Sequence, residues 1–348
     1  MAGRVYLDWN ATAPLRAEAR DAMVAAMDLV GNPSSIHAEG RASRAAVERA
    51  RAQVAAAAGA SGSDVIFVSG ATEAAALACA GRALSCAPIE HPAVLSWCDA
   101  SLGVSSAGAV SVPEPGAAAL QAANSETGIV QILPEGLAVC DATQIFGKRP
   151  FAFDWSGIEA AFVSAHKIGG PKGVGALLLR RGRMVEPRTR GGGQEMGRRG
   201  GTENVAAIAG FGAAAEAAAR DLSDGRWDRV AAMRDDLEHT LTSGAETPIL
   251  IGRGEDRLPN TACLVTPGWK GETQVMQLDL AGFAVSAGSA CSSGKLRGGG
   301  ALPAMGMGPA EAGSAIRISL GLETTEEDVA RFAECWLRLY GRYRARAA

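Results

Sequence analysis

The apolar and polar positions of this chain fall into two alternating patterns. Short runs rich in β-branched and other apolar residues, "DVIFVSG", "LAVCDATQ", "AAFVSAHK" and "GALLLR", read as strands. Alternating with them, "AAVERARAQVAAAAGA" and "GFGAAAEAAARD" resemble low-complexity alanine, yet their apolar and charged residues recur at helical spacing. Strand and helix in repetition predict an α/β fold with a mostly parallel sheet flanked by helices on both faces.

After about Asp221 the pattern changes. A long helix, "RWDRVAAMRDDLEHTL", leads into the strand-like runs "PILIG", "NTACLVT", "FAVSAGSACSSGK" and "AIRISLG", and then the helix "TTEEDVARFAECWLRLYGRYR". This predicts a large domain over residues 13–223 and a smaller α+β C-terminal domain over 224–348, joined by residues 1–12.

Composition narrows the function classes. The chain has 348 residues, 47% hydrophobic and 20% charged, with a net charge of -3. That balance gives no electrostatic reason to expect nucleic acid or an anionic membrane as partner. No apolar run reaches membrane-spanning length and no signal-peptide pattern opens the chain, so a cytoplasmic location is expected. The seven cysteines show no C-x-x-C pair or zinc-type spacing, so buried, reduced thiols are expected and no metal. Only five lysines stand against 29 arginines. That bias singles out Lys167 in "VSAHKIGGPKG", because arginine stays protonated whereas a lysine amine can attack a carbonyl.

Several stretches can carry chemistry. In "VSGATEAAALACAG" a strand runs into Ala71 and Thr72 at a helix start, which suits a phosphate and equally an ordinary capped helix. Asp141 of "VCDATQIFGK" follows a strand, where open α/β sheets place ligand-binding groups and where turn formers also occur. Lys167 comes 26 residues later, one strand-helix-strand interval on, with Ser164 and His166 as neighbouring donors; the plain alternative is a surface lysine in a glycine-rich turn. The arginine-glycine run "RRGRMVEPRTRGGGQEMGRRGG" reads either as a solvated loop or as an anion site. Among the cysteines, Cys291 alone lies in a small-residue, loop-like run, "SAGSACSSGKLRGGG"; the others sit mainly in apolar patterns that favour inert burial.

Taken together in their order, "YLDWNATAP", "GNPSSIHAEGRASRAAVERAR", "VIFVSGATE", "EHPAVL", "ANSETG", "DATQIFGK", "SAHKIGGPKGVGALLLR", "GGGQEMGRRGGTEN", "SAGSACSSGK" and "SAIRISLG" resemble cysteine desulfurases of the NifS/IscS type. These are class V, fold-type I pyridoxal phosphate-dependent enzymes, and the resemblance runs from residue 5 to about 321. It implies that Lys167 carries pyridoxal 5'-phosphate as a Schiff base, that Asp141 holds the pyridine nitrogen and Gln144 the phenolic oxygen, and that His91 stacks on the ring. Ala71, Thr72, Ser164 and His166 would bind the phosphate, and Thr202 a phosphate in the other subunit of a homodimer. Arg317 would pair with the carboxylate of L-cysteine, with Asn124 beside the substrate. Cys291 would take the sulfur as a persulfide and pass it to an iron-sulfur scaffold or sulfur carrier protein.

The match departs from the family in three places. Ser125 stands where a second asparagine would contact the phenolic oxygen; a serine hydroxyl is shorter but still donates. The stretches from "EHPAVL" to "ANSETG" and on to "DATQ" are short, as if covering helices were trimmed, which predicts uncovered sheet and a partner surface there. The glycine-rich run after Cys291 predicts a more mobile loop. Two other readings stand beside desulfuration: another class V activity, such as selenocysteine lyase or aminotransferase, and a non-catalytic scaffold derived from the family.

Overall fold

A computed structural model describes residues 3–288 and 300–347 of the chain. In chain order, strand β1 (Val5–Tyr6) precedes helices α1 (Ala17–Met27) and α2 (Ala38–Ala57), strand β2 (Asp64–Val68) and helix α3 (Ala71–Cys79). A one-turn helix α4 (Pro92–Leu95) comes before strands β3 (Ala119–Gln121), β4 (Val139–Asp141), β5 (Ala160–Ser164) and β6 (Gly175–Leu179). Helices α5 (Val205–Ser223) and α6 (Arg226–Ser243) lead to β7 (Ile249–Ile251), β8 (Thr261–Val265), α7 (Gly271–Leu280), β9 (Phe283–Ala284) and β10 (Ser286–Ala287). Short helices α8 (Ala301–Ala304) and α9 (Pro309–Ala312), strand β11 (Ala315–Ser319) and the long helix α10 (Glu326–Ala347) complete the described chain.

The larger sheet has the order β2-β6-β5-β4-β3. Strands β3, β4 and β5 pair in parallel, while β6 runs antiparallel to both β5 and β2. Four of its strands therefore point the same way, as the sequence predicts, and their carboxyl ends share one edge. Alternate residues go to opposite faces. Val65, Phe67, Ala161, Val163, Ala176 and Leu178 pack with α2 and α5, whereas Ile66, Val68, Phe162, Leu177 and Leu179 pack with α3 and α4.

The alanine- and glycine-rich runs explain themselves in this packing. A side chain at Gly212 of α5 would put its Cβ 2.6 Å from Ala50 Cα of α2, so the two helices approach more closely than larger residues allow. Small residues are what lets α1, α2 and α5 form one layer.

Two sequence expectations change. The connection from β4 to β5 contains no α-helix, only a 3-10 turn at Phe153–Trp155, so the crossover is made by irregular chain. The short stretch after "EHPAVL" does not bare the sheet either: Ala119 is 1% exposed and Val139 and Phe162 0%. On that face α3 and α4 supply the cover, and on the other Leu120 and Cys140 are packed over by irregular chain at Leu102, Val110 and Leu133, while Ser85↔Ala118 extends the sheet edge.

A second sheet, β10-β11-β8-β7, is antiparallel throughout and packs with α6 and α10 around Leu237, Leu264, Ile316, Phe332 and Trp336. β1 pairs in parallel with β9, and Val5 and Leu7 enter that same core. Helix α10 starts at a reciprocal cap, in which the amide of Asp328 donates to Thr325 Oγ1 (3.1 Å) and the amide of Thr325 to Asp328 Oδ2 (3.2 Å). No helix among the described residues is long and apolar enough to cross a membrane.

Candidate active site

The carboxyl edge of the larger sheet gathers the candidate residues. Ser69 to Thr72 follow β2, Asp141 ends β4, and Ser164 ends β5 directly before the 3-10 turn Ala165–Lys167. The approach is tight: a Cβ at Gly175 of β6 would sit 2.9 Å from Gly70 Cα and 2.7 Å from the Val163 carbonyl oxygen, so only glycine lets these segments meet. Here lies a cavity of ≈ 650 Å³ lined by Ala71, Thr72, His91, Ser125, Asp141, Gln144, Ser164, His166, Lys167 and Arg317. Ten of the thirteen candidates from the sequence thus meet in one place. Asn124 and Thr202 do not line it, and Cys291 lies outside the described residues.

Lys167 Nζ donates to the carbonyl oxygens of Asn10 (2.6 Å) and Ala11 (2.9 Å), which fix the amine in the cavity wall. Asp141 Oδ1 accepts from the Thr143 amide at 2.9 Å. Burial raises the pKa of its carboxyl, opposed by Thr143, His91 and Lys167, so this acid favours a further cationic partner. His91 is the N-cap of α4 and its Nδ1 accepts from the Ala93 amide (3.1 Å), so the neutral ring carries its proton on Nε2. Burial lowers its pKa, as does the nearby Lys167 charge, while Asp141 raises it.

At the start of α3 the N-cap is Gly70, which has no side chain to cap the helix. The positive end of α3 is thereby offered to the cavity at Ala71 and Thr72. His166 Nδ1 sits 3.1 Å from Thr12 Oγ1. Burial, with Lys167 and Lys172 adding to it, pushes the imidazole down to about 4, so it is neutral at pH 7. This donor set suits a ligand with an anionic group, a protonatable ring nitrogen and an electrophilic carbon.

Arg317, on β11, is buried; its Nη2 donates to Asp8 Oδ1 (2.6 Å) and Nη1 to the Ser125 carbonyl (3.1 Å). Its buried Nε has no partner among the described residues. Ser286 of β10, which lines the cavity, pairs with Arg317, and the described chain stops two residues later at Gly288. It resumes at Gly300, and the amide of Ala301 donates to Glu126 Oε2 at 3.4 Å.

Asn124 is a correction. Its Oδ1 accepts from the amides of Glu126 and Thr127 (both 2.9 Å) and its Nδ2 donates to the Ile89 carbonyl (3.2 Å), so the side chain is consumed in a buried turn rather than offered to substrate. Thr202 lines a separate small cavity with Ser69, Gly173 and Arg199. Most of the arginine-glycine run is exposed, as a solvated loop is, but within it Glu195, in left-handed backbone at φ 49, is buried and holds Arg51 through two contacts of 2.7 and 2.9 Å. Arg199 Nε donates to Glu73 Oε1 (3.0 Å), whose other oxygen accepts from the Ser69 amide (2.6 Å), tying this run to the start of α3.

Sequence reasoning missed two residues. Asn10 is a hub: its Nδ2 donates to Thr261 Oγ1 (2.8 Å) and the Ser125 carbonyl (3.2 Å), and its carbonyl accepts from Gln144 Nε2 (3.0 Å) as well as from Lys167. Lys148 is fully enclosed, its Nζ donating to Asn10 Oδ1 (3.0 Å) and Gln144 Oε1 (2.8 Å). By taking the oxygen of Gln144, Lys148 fixes which way that amide faces, with nitrogen toward the cavity wall. Burial, followed by Lys167 and Arg317, drives the Lys148 pKa well below its ordinary value. The scarcity of lysine pointed to Lys148 as much as to Lys167.

Comparison with known proteins agrees with this geometry. The class-V aminotransferase family matches residues 5–100 and 106–332. A cysteine desulfurase of Klebsiella pneumoniae is 38% identical over 94% of this chain and 90% of its own length. A cysteine desulfurase IscS of Dictyoglomus turgidum is 36% identical over 94% and 92%. Among solved structures, a NifS-like protein from Rickettsia africae superimposes with a TM-score of 0.88 at 29% identity, covering 97% of this chain and 99% of that one. SspA, solved in complex with cysteine, covers 92% of this chain and 100% of its own with a TM-score of 0.76 at 25% identity. The chain belongs to the class-V aminotransferase family, among the cysteine desulfurases of the NifS/IscS type.

Proposed function

We propose that this chain binds pyridoxal 5'-phosphate in the cavity and removes sulfur from L-cysteine, leaving L-alanine and a persulfide on Cys291. The observation that carries the reading is the meeting, in one cavity, of the Lys167 amine, the half-buried Asp141 carboxylate and the uncapped start of α3. These groups fit the cofactor: Ala71, Thr72, Ser164 and His166 for its phosphate, Asp141 for its ring nitrogen, Gln144 and Ser125 for its phenolic oxygen, and His91 against its ring.

Pyridoxal phosphate supplies an electron sink that weakens the bonds at Cα of an attached amino acid. The chain's own residues do the rest. Asp141 keeps the ring nitrogen protonated, because a half-buried carboxylate is stabilised by a cation beside it. Lys167 holds the cofactor's aldehyde carbon before substrate arrives, and its amine then moves the proton at the substrate's Cα. Arg317 fixes the substrate carboxylate with a fork that reaches two oxygens at once. Cys291 acts as a thiolate on the substrate sulfur: a sulfur–sulfur bond forms, the carbon–sulfur bond breaks, and its electrons stay with the alanine portion.

The partners in this reading are a second copy of the chain, whose phosphate Thr202 reaches across the interface, and a protein that accepts the sulfane sulfur. Borohydride reduction of the cofactor-loaded protein tests the cofactor link. The label should map to Lys167, and Lys167→Ala should lose both the label and cysteine turnover; label elsewhere would overturn the assignment. Transamination of cysteine without persulfide would favour the aminotransferase reading, and retention of cofactor with no turnover of any amino acid the scaffold reading.

A further inference from the structure

A second cavity, of ≈ 650 Å³, is an open groove between α7 and the C-terminal half of α10. Helix α7 offers Thr273, Gln277 and Leu280 to it, and α10 offers Cys335, Leu339, Arg342 and Arg346. These are positions i, i+4 and i+7 on one helix and i, i+4, i+7 and i+11 on the other, so each helix turns one continuous face to the same groove. The aromatic floor is fixed. Trp269 stacks on Tyr343 at 5.3 Å and 8°, and a Cβ at Gly268 would sit 2.6 Å from the Tyr343 hydroxyl oxygen, so glycine lets this turn close against α10. Gln274 locks it, donating to the Trp269 carbonyl (2.8 Å) and accepting from Trp336 Nε1 (3.2 Å).

The rim carries one sign of charge. Lys270, Arg338, Arg342 and Arg346 line the groove, all exposed, and no aspartate or glutamate does. Among the described residues only Arg338 of these four reaches a carboxylate, that of Glu334 at 3.9 Å one turn back on α10. The helix dipole accounts for arginines at the end of α10 but not for Lys270, which stands at the positive start of α7, where a cation is unfavourable. In a chain of net charge -3 this is a local concentration. Beside the cations Leu280 is 86% exposed and Leu339 half-buried, so the groove couples an apolar strip to a positive rim.

We propose that this groove docks an acidic amphipathic helix of a partner protein, laid along α10. Arg338, Arg342 and Arg346 recur every four residues, about 6 Å apart along the axis, which is also the rise between carboxylates four apart on a second helix. The apolar face of that helix covers Leu280, Leu339 and Tyr343, as in other helix-in-groove complexes. A nucleic acid fits less well, because the rings are spent on each other, Trp269 being buried and stacked on Tyr343, and the exposed leucine would go unused. The groove contains none of the residues of the cofactor cavity, so the inference stands apart from the desulfurase reading.

The probe is a fluorescein-labelled synthetic peptide of about 18 residues, long enough to hold a helix, with glutamate at every fourth position beside a leucine stripe. Its control has the same composition in scrambled order. With the cofactor-loaded full chain, the peptide's anisotropy should rise to saturation. Arg338→Gln combined with Arg342→Gln, Leu280→Ser alone, or scrambling of the peptide should each weaken binding about tenfold or more. Helix content by circular dichroism and the cofactor spectrum should stay as in the wild type, since all three side chains are exposed. No saturable binding, binding that ignores the substitutions, equal binding of both peptides, or tighter binding of a single-stranded RNA through the same arginines would overturn the proposal.

Discussion

Arg317 Nη2 donates to Asp8 Oδ1 across 2.6 Å, while the buried Nε–H of the same guanidinium has no partner among the described residues. Asp8 in turn accepts from Ser286 Oγ at 2.8 Å, so the arginine is held through both Nη nitrogens while its Nε–H stays unused. A buried donor left unpaired costs about 1–3 kcal/mol, which an arriving carboxylate would recover.

Arg317→Lys should therefore raise KM for L-cysteine about 10- to 100-fold, since lysine keeps the charge but cannot present two parallel donors. The absorbance of bound cofactor should stay as in the wild type. Steady-state kinetics beside a visible spectrum checks both, and an unchanged KM would remove Arg317 from the substrate site.

Glu126 supplies a pH dependence. Burial lifts its carboxyl to about 7, against the Ala301 amide and Arg317, which lower it. Below that pH the group is neutral; above it an anion stands near Arg317 and competes with the substrate carboxylate. The ratio of wild-type KM to that of Glu126→Gln should rise between pH 6 and pH 8. Taking the ratio cancels the ionisations of cysteine itself, and a flat ratio would place Glu126 outside the recognition of substrate.

Lys148 gives a stability test with a defined sign. Its pKa is lowered well below the usual value in the fold, so over that window the unfolded chain binds one proton more than the folded chain does. Stability contributed by Lys148 should increase as pH rises toward its ordinary pKa near 10.4. The unfolding free energy of wild type relative to Lys148→Met should climb between pH 7 and pH 9.5 in urea titrations. The same variant should turn over cysteine more slowly, because Gln144 loses the donor that orients its amide. A pH-independent difference would mean that the buried amine stays charged.

The residues legible in the sequence are those whose position follows from a local rule. Asp141, at the end of β4, and Lys167, in the turn directly after its parallel neighbour β5, meet because a ligand group at a strand's carboxyl end lies at the shared edge of such a sheet. Asn10 and Lys148 were not legible in the same way. Asn10 works through Asn260 and Thr261, some 250 positions along the chain, and Lys148 through Asn10, 138 positions away, and no periodicity announces such contacts. Asn124 misled for the opposite reason, since an asparagine side chain readily bonds its own backbone and so leaves no donor for a ligand. The trimmed middle misled because coil, when its backbone groups are paired, covers a sheet as fully as a helix does.

The most direct test of the desulfurase reading is a single incubation of the cofactor-loaded protein with L-cysteine. Alanine is quantified, and the peptide carrying Cys291 is weighed after alkylation. We expect one alanine for each sulfur acquired on Cys291 in the first turnover, and in Cys291→Ser an unchanged cofactor spectrum with no persulfide and no sulfide. Alanine formed equally fast by Cys291→Ser, or cysteine left intact by the wild type, would contradict the account.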